Sequence, residues 1–147
     1  MKYFIEKTAY PSSRAKEIIK EQLNCEVFYS ERGKPYTKKF PISISHSGEF
    51  VLVGIHNGDI GVDIEVIKSF DKRIITRYFT RNEQEYIKTP ADFFKIWTVK
   101  EAYLKLTGEG LKGIKKLNVI KNGEIYIEGY NIISFEENGC QIAIVYR

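Results

Sequence analysis

Cysteine is scarce, with two in 147 residues, and neither Cys25 nor Cys140 stands in a C-x-x-C pair. Together with His46 and His56, the two histidines, they supply too few soft ligands at metal spacing for a zinc site. Two reduced, structural thiols in a cytoplasmic protein is the reading that remains. Long apolar runs are absent as well. The run at 50–53 is far too short to cross a bilayer, and Glu6 and Lys7 interrupt any signal-peptide core, so the chain reads as soluble, cytoplasmic and free of membrane. No low-complexity segment or linker appears. No G-x-S-x-G elbow supports a hydrolase reading of Ser45-His46-Ser47, where neighbours on a strand point to opposite faces. Positive charge is in small excess: 23 Lys and Arg against 19 Asp and Glu give +4, and the pI is near 8.9. That excess is spread along the chain and fits a phosphorylated small molecule, an acidic protein or nucleic acid. Any nucleic-acid reading motif is missing, which argues against the last.

What is present is a core. Hydrophobic residues make up 43% of the chain and aromatics 14%, including ten Tyr and nine Phe, a composition that excludes disorder and favours sheet. Residues 1–8 read as a strand. Pro11-Ser12-Ser13 offers a turn and N-cap for a helix whose apolar stripe is Ala15, Ile18, Ile19 and Leu23 and whose end is Asn24. A short strand at 27–29, a loop at 31–35 punctuated by Gly33 and Pro35, and an alternating strand at 42–45 follow, the last running into a polar turn, Ser45-His46-Ser47-Gly48. Asn57-Gly58-Asp59 between apolar runs at 51–56 and 60–65 predicts a hairpin.

In the second half a short helix fits 69–79, and Thr80 with Glu83 has the form of a capping box. Thr89, Pro90 and Asp92 then open a long helix to about Thr107, which Gly108 stops. Strands at 117–120, 125–128, 130–135 and 141–146 close the chain, with Asn122-Gly123 and Asn138-Gly139 as turns. Both halves run from a helix into antiparallel strands. The expectation is a single α+β domain over 1–147, built of two pseudo-related lobes, about 1–66 and 67–147, with a site at their seam.

Two stretches carry chemistry. In Gly61-Val62-Asp63-Ile64-Glu65 both carboxylates fall on one strand face and Val62 and Ile64 on the other. In the long helix Trp97, Glu101 and Lys105 recur at i, i+4 and i+8. Taken singly, the first is a solvated sheet face, and the second a half-buried helix with Phe93, Ile96, Trp97 and Leu104 as core and Glu101 and Lys105 as a surface pair. Brought together, they put three carboxylates beside a lysine. Two like charges about 4 Å apart repel by roughly 4 kcal/mol at an effective dielectric near 20, so such a cluster calls for a proton or a hard divalent cation.

These stretches resemble, in order, the paired signature of the 4′-phosphopantetheinyl transferases: Gly61-Val62-Asp63-Ile64-Glu65, then Trp97-x-x-Lys100-Glu101-Ala102 and Lys105. Ser45-His46-Ser47-Gly48 upstream resembles the further motif of the surfactin-type branch. The resemblance implies that fold and an enzyme that moves the phosphopantetheine arm of coenzyme A to a serine of an acyl or peptidyl carrier protein, releasing 3′,5′-ADP with Mg²⁺, or Mn²⁺ in its place. It implies Asp63, Glu65 and Glu101 as metal ligands, Glu101 or a metal-bound water it orients as base, Lys105 on the diphosphate, and Ser45, His46 and Lys34 on coenzyme A phosphates. On sequence alone Lys34 fits a plain surface turn better, and Glu83 is open between helix cap and metal neighbour. Larger members carry a longer N-terminal segment; the 45 residues before His46 imply a short first lobe, and a monomer or a homodimer that completes it. A non-catalytic binder of coenzyme A or of a carrier protein is the alternative. Arg73, Arg77 and Arg81 read as a basic ridge for an acidic partner or as a solvated face. Gly108-Glu109-Gly110-Leu111-Lys112-Gly113 matches G-x-G-x-x-G but follows a helix, which excludes a dinucleotide fold.

Overall fold

All 147 residues are described in a computed structural model. The first half contains β1 (Lys2–Lys7), α1 (Pro11–Leu23), β2 (Phe28–Tyr29), β3 (Pro35–Tyr36), β4 (Ile42–Ser47), β5 (Phe50–Ile55) and β6 (Ile60–Val66). The second contains α2 (Arg73–Tyr78), α3 (Arg81–Tyr86), α4 (Pro90–Thr107), β7 (Ile120–Lys121), β8 (Glu124–Ile125), β9 (Asn131–Glu137) and β10 (Cys140–Tyr146).

Two antiparallel sheets, ordered β1-β5-β4 and β6-β10-β9, form the centre. The α+β class expected from the sequence is what is found. Alternation along the strands decides what each face meets. Val51, Val53 and Ile55 of β5 face α1 and enclose Ala15, Ile18 and Ile19. Leu52 turns the other way and joins Val62, Ile64, Ile142 and Ile144 between the sheets. Ala143 and Val145 face α4 and its Phe93, Ile96, Val99 and Ala102. The layers therefore run α1, first sheet, second sheet, α4. Each fully buried Ile contributes about 1.5–3 kcal/mol.

The long helix follows its sequence signals. Thr89 and Asp92 form a complete capping box, Pro90 takes the first position, and Gly108 stops the helix with φ 78°. Three expectations are corrected. First, α1 begins at Pro11 itself after Tyr10, without a side-chain cap from Ser12 or Ser13; a proline at the first position leaves one fewer N–H to satisfy. Second, the polar turn shrinks to Gly48-Glu49. Ser45, His46 and Ser47 lie within β4, and Ser47 pairs with Phe50 across a two-residue loop in which Gly48 has φ 56°. Third, β5 and β6 form no hairpin, because β5 pairs with β1 and β4 while β6 pairs with β10. Neither Asn57 nor Gly58 has the positive φ seen at Asn122-Gly123 and Asn138-Gly139, which a type I′ turn requires. β6, the last strand of the first half of the sequence, belongs to the second sheet.

The sheets meet at their edges, β4 against β6, through side chains. The N–H groups of Val62, Ile64 and Val66 donate to the hydroxyls of Ser43, Ser45 and Ser47 at 3.0, 3.2 and 3.1 Å. Edge donors that a neighbouring strand's carbonyls leave unpaired are thus satisfied by alternate serines.

Candidate active site

Contact between β6 and α4 builds the site. A Cβ on Gly61 would overlap the Ala102 carbonyl oxygen and stand 2.8 Å from the Leu106 nitrogen. Glycine lets the helix backbone lie directly on the strand, and Glu101 and Lys105 come down beside Asp63.

Asp63 is 3% exposed, which excludes the solvated-face reading of this strand. Its Oδ1 accepts from Lys105 Nζ at 3.1 Å and from Ser45 Oγ at 3.0 Å. Its Oδ2 is buried without a hydrogen-bond partner. Lys105 also donates to the Val62 carbonyl at 3.1 Å, so it pairs with the strand and not with Glu101. Burial pushes the Asp63 carboxyl up, opposed by Lys105 and Ser45. Glu65, half-buried on the same strand face, is pushed up to about 7, first by burial, then by the charge of Asp63, with Glu101 adding to it and Lys105 opposing. Burial and Asp63 raise Glu101 likewise. The three carboxyls therefore act on one another as one charged cluster.

Does this cluster suit a metal? No three His, Cys, Asp or Glu side chains already stand as a coordination set. The donors are nonetheless all oxygen, and one is a buried carboxylate oxygen with no partner. That chemistry fits a hard cation such as Mg²⁺ or Mn²⁺, which takes one or two carboxylates and completes its shell with substrate phosphate and water.

A cavity of about 420 Å³ opens beside the cluster between the loop before β3 and the end of α4, lined by Arg32, Lys34, Ser43, Glu101, Lys105 and Glu109 among others. Lys34 thus faces the same space as Glu101 and Lys105. Arg32 faces it too and escaped sequence reasoning, which places it only in a loop that Gly33 turns with a φ of 82°. Ser45 and His46 are not brought together, since Ser45 is buried and His46 is exposed on the opposite face of β4.

Glu83 completes a capping box with Thr80, and the fold gives it more than that. Its Oε1 accepts from the Thr80 N–H at 2.9 Å and from Lys100 Nζ at 2.6 Å, and its Oε2 accepts from the Val119 N–H at 2.9 Å. Lys100, to which the sequence assigned no separate role, also donates to the Tyr78 carbonyl at 3.0 Å. Burial pulls the Lys100 ammonium down and Glu83 counters it. Trp97 is half-buried and packs against the core, stacked on Phe93 with ring centres 6.0 Å apart. The arginines form no continuous ridge: Arg73 and Arg77 lie on α2 and Arg81 on α3, parted by extended Phe79. Arg73 pairs with Asp71 at 2.6 Å and Arg81 with Glu85 at 3.5 Å. The glycine-rich stretch after α4 is a loop and a 3₁₀ turn, Gly110–Gly113.

A family model described as the 4'-phosphopantetheinyl transferase superfamily matches residues 59–141, a span that includes β6, α4 and every carboxylate of the cluster. The chain belongs to this superfamily. Within it the similarity is to the Sfp-like branch. The chain is 38% identical over 95 residues to 4'-phosphopantetheinyl transferase psf-1 of Bacillus pumilus, covering 58% of this chain and 41% of that one. It is 32% identical over 127 residues to 4'-phosphopantetheinyl transferase gsp of Aneurinibacillus migulanus, covering 76% and 54%. With 4'-phosphopantetheinyl transferase Sfp of Bacillus subtilis (strain 168) it shares 33% over 90 residues, covering 55% and 40%. The chain spans about half the length of the curated relatives it matches.

Proposed function

We propose that this protein transfers the 4′-phosphopantetheine arm of coenzyme A to a serine hydroxyl of an acyl or peptidyl carrier protein, in a reaction that requires Mg²⁺ or Mn²⁺. The observation that carries this reading is the convergence of Asp63, Glu65, Glu101 and Lys105 at the crossing of β6 and α4, beside a cavity that also presents Arg32 and Lys34. The serine oxygen bonds to the phosphorus bearing the pantetheine, the phosphoanhydride bond breaks, and 3′,5′-ADP leaves with the bridging oxygen. Glu101 takes the serine proton, a role suited to a carboxyl held above its ordinary range. Lys105 holds a diphosphate oxygen, and Lys34 and exposed His46 meet the nucleotide's phosphates. Asp63, Glu65 and Glu101 hold the metal, which when bound neutralises diphosphate charge. Such transfers depend mostly on positioning and electrostatics, which this arrangement supplies.

The proposed unit is one domain of two lobes, acting in the cytoplasm as a monomer or homodimer. No helix is long and apolar enough to cross a membrane. One observation favours the alternative, a non-catalytic binder of coenzyme A or carrier protein: the carboxylates do not stand as a ready coordination set. Calorimetric titration with coenzyme A, with and without Mg²⁺, tests the shared site. Binding that tightens with Mg²⁺ is the expected result; no binding, or binding indifferent to Mg²⁺, contradicts the reading.

A further inference from the structure

We propose that Ser45 is a positioning residue for the metal-binding carboxylate of Asp63, and that through it the first sheet orients a ligand carried by the second. The inference rests on the reading of Asp63 as a metal ligand.

Three serines of β4 accept N–H groups of β6, but one of them does more. Ser43 and Ser47 accept from Val62 and Val66 and stop there. Ser45 accepts from the Ile64 N–H at 3.2 Å and donates its own proton to Asp63 Oδ1 at 3.0 Å. A hydroxyl has one proton and two lone pairs, so these two bonds fix the direction of the O–H. Lys105 takes the same Oδ1 from the helix side at 3.1 Å. With both donors on one oxygen, Oδ2 is left buried and unpartnered. A carboxylate free to turn about its side-chain torsions would share the two donors between its oxygens. Held between Ser45 and Lys105, it cannot. The oxygen kept open is the one a cation would take, as a hydrogen-bonded partner behind a ligand orients it for the metal.

This differs from a direct phosphate contact, because the Ser45 hydroxyl is buried, at 6% exposure, with its proton committed to Asp63. The two roles separate in experiment. In the full chain, Mn²⁺ affinity is measured by electron paramagnetic resonance in the presence of coenzyme A, and metal-free coenzyme A affinity by calorimetry. Ser45→Ala is expected to weaken Mn²⁺ about 10–100-fold, as loss of such a partner typically does, with metal-free coenzyme A affinity unchanged. Ser45→Thr keeps the hydroxyl and is expected to restore Mn²⁺ binding. Ser45→Cys, close in volume and a poor hydrogen-bond donor, repeats the loss should the alanine variant fold poorly. Ser47→Ala removes an equivalent seam bond without touching Asp63; it is expected to lower the melting temperature and leave Mn²⁺ affinity intact. Wild-type Mn²⁺ affinity in both Ser45→Ala and Ser45→Cys overturns the proposal, as does an equal loss in Ser47→Ala. Weakened metal-free coenzyme A binding with intact Mn²⁺ affinity overturns it in favour of a phosphate contact. Wild-type protein that binds coenzyme A but no Mn²⁺ removes the metal site itself, and Ser45's role with it.

Discussion

Lys100 Nζ lies 2.6 Å from Glu83 Oε1, and neither side chain reaches solvent. The pair ties the first turn of α3 to the middle of α4, one residue before Glu101, and a second Glu83 oxygen holds the Val119 N–H. Removing one partner strands the other charge in the interior, at a cost of about 3–5 kcal/mol. Glu83→Ala and Lys100→Met are each expected to lose about that much in urea unfolding. Replacing both together should cost less than the sum of the two. A loss under about 1 kcal/mol in either single variant would show that the pair is not buried as described, since that is the range of exposed pairs.

Gly61→Ala and Gly54→Ala give a paired test of how α4 is seated. At Gly61 the added carbon meets the backbone oxygen of Ala102, whereas at Gly54 it meets the side-chain tips of Val62 and Ile60 at 2.7 and 2.8 Å. Side chains yield and helix backbones do not. Overpacking costs about 1–3 kcal/mol where neighbours adjust, so Gly54→Ala should stay in that range and Gly61→Ala exceed it, with the ends of α4 losing amide-exchange protection. Equal costs would contradict the close crossing.

Glu65 carries a pH signature. Its carboxyl holds a proton up to about 7 in the folded chain, above the ordinary value of 4.5, so between those values the folded state binds more protons than the unfolded one. Stability from this group therefore falls as pH rises through that window, is fully lost above about 7, and is fully present below 4.5. Glu65→Gln should flatten this part of the pH–stability curve. Because protons compete with cations for carboxylates, Mg²⁺ should raise the melting temperature more at a pH above this window than within it. A curve in wild type that rises across the window and is unchanged in Glu65→Gln would refute the clustering of charge.

Much of the second half was legible because its signals are local. The capping boxes at Thr80 and Thr89, the stop at Gly108 and the two Asn-Gly turns each act within four residues. Asp63 and Glu65 were legible as a strand face by alternation. What failed was pairing. Asn57-Gly58 carries a hairpin signal, yet β6 is drawn into the second sheet, where Val62 and Ile64 bury against β10 and Gly61 admits α4. The serine seam was hidden for the same reason: nothing local in Ile42-Ser43-Ile44-Ser45 says that its hydroxyls will stand in for the carbonyls of a missing neighbour strand. Lys100 and Arg32 were missed because their partners, Glu83 and the cavity wall, are brought to them only by tertiary packing.

Glu101→Gln keeps the shape of the side chain and removes its charge and basicity. Loss of a positioned base typically costs 10²–10⁴-fold in rate, so turnover should drop at least that far while the far-ultraviolet circular dichroism and melting transition stay in place. Turnover like that of the wild type would take Glu101 out of both proposed roles.

The transfer itself is the most direct measurement. Purified protein is incubated with coenzyme A and Mg²⁺ against a panel of apo acyl and peptidyl carrier proteins, and each carrier is weighed intact by mass spectrometry. The account predicts that at least one carrier gains the mass of a single phosphopantetheine arm on its serine, with 3′,5′-ADP released in equal amount and no gain when Mg²⁺ is chelated. No mass shift on any carrier, in a preparation that is folded and supplied with metal, would contradict it.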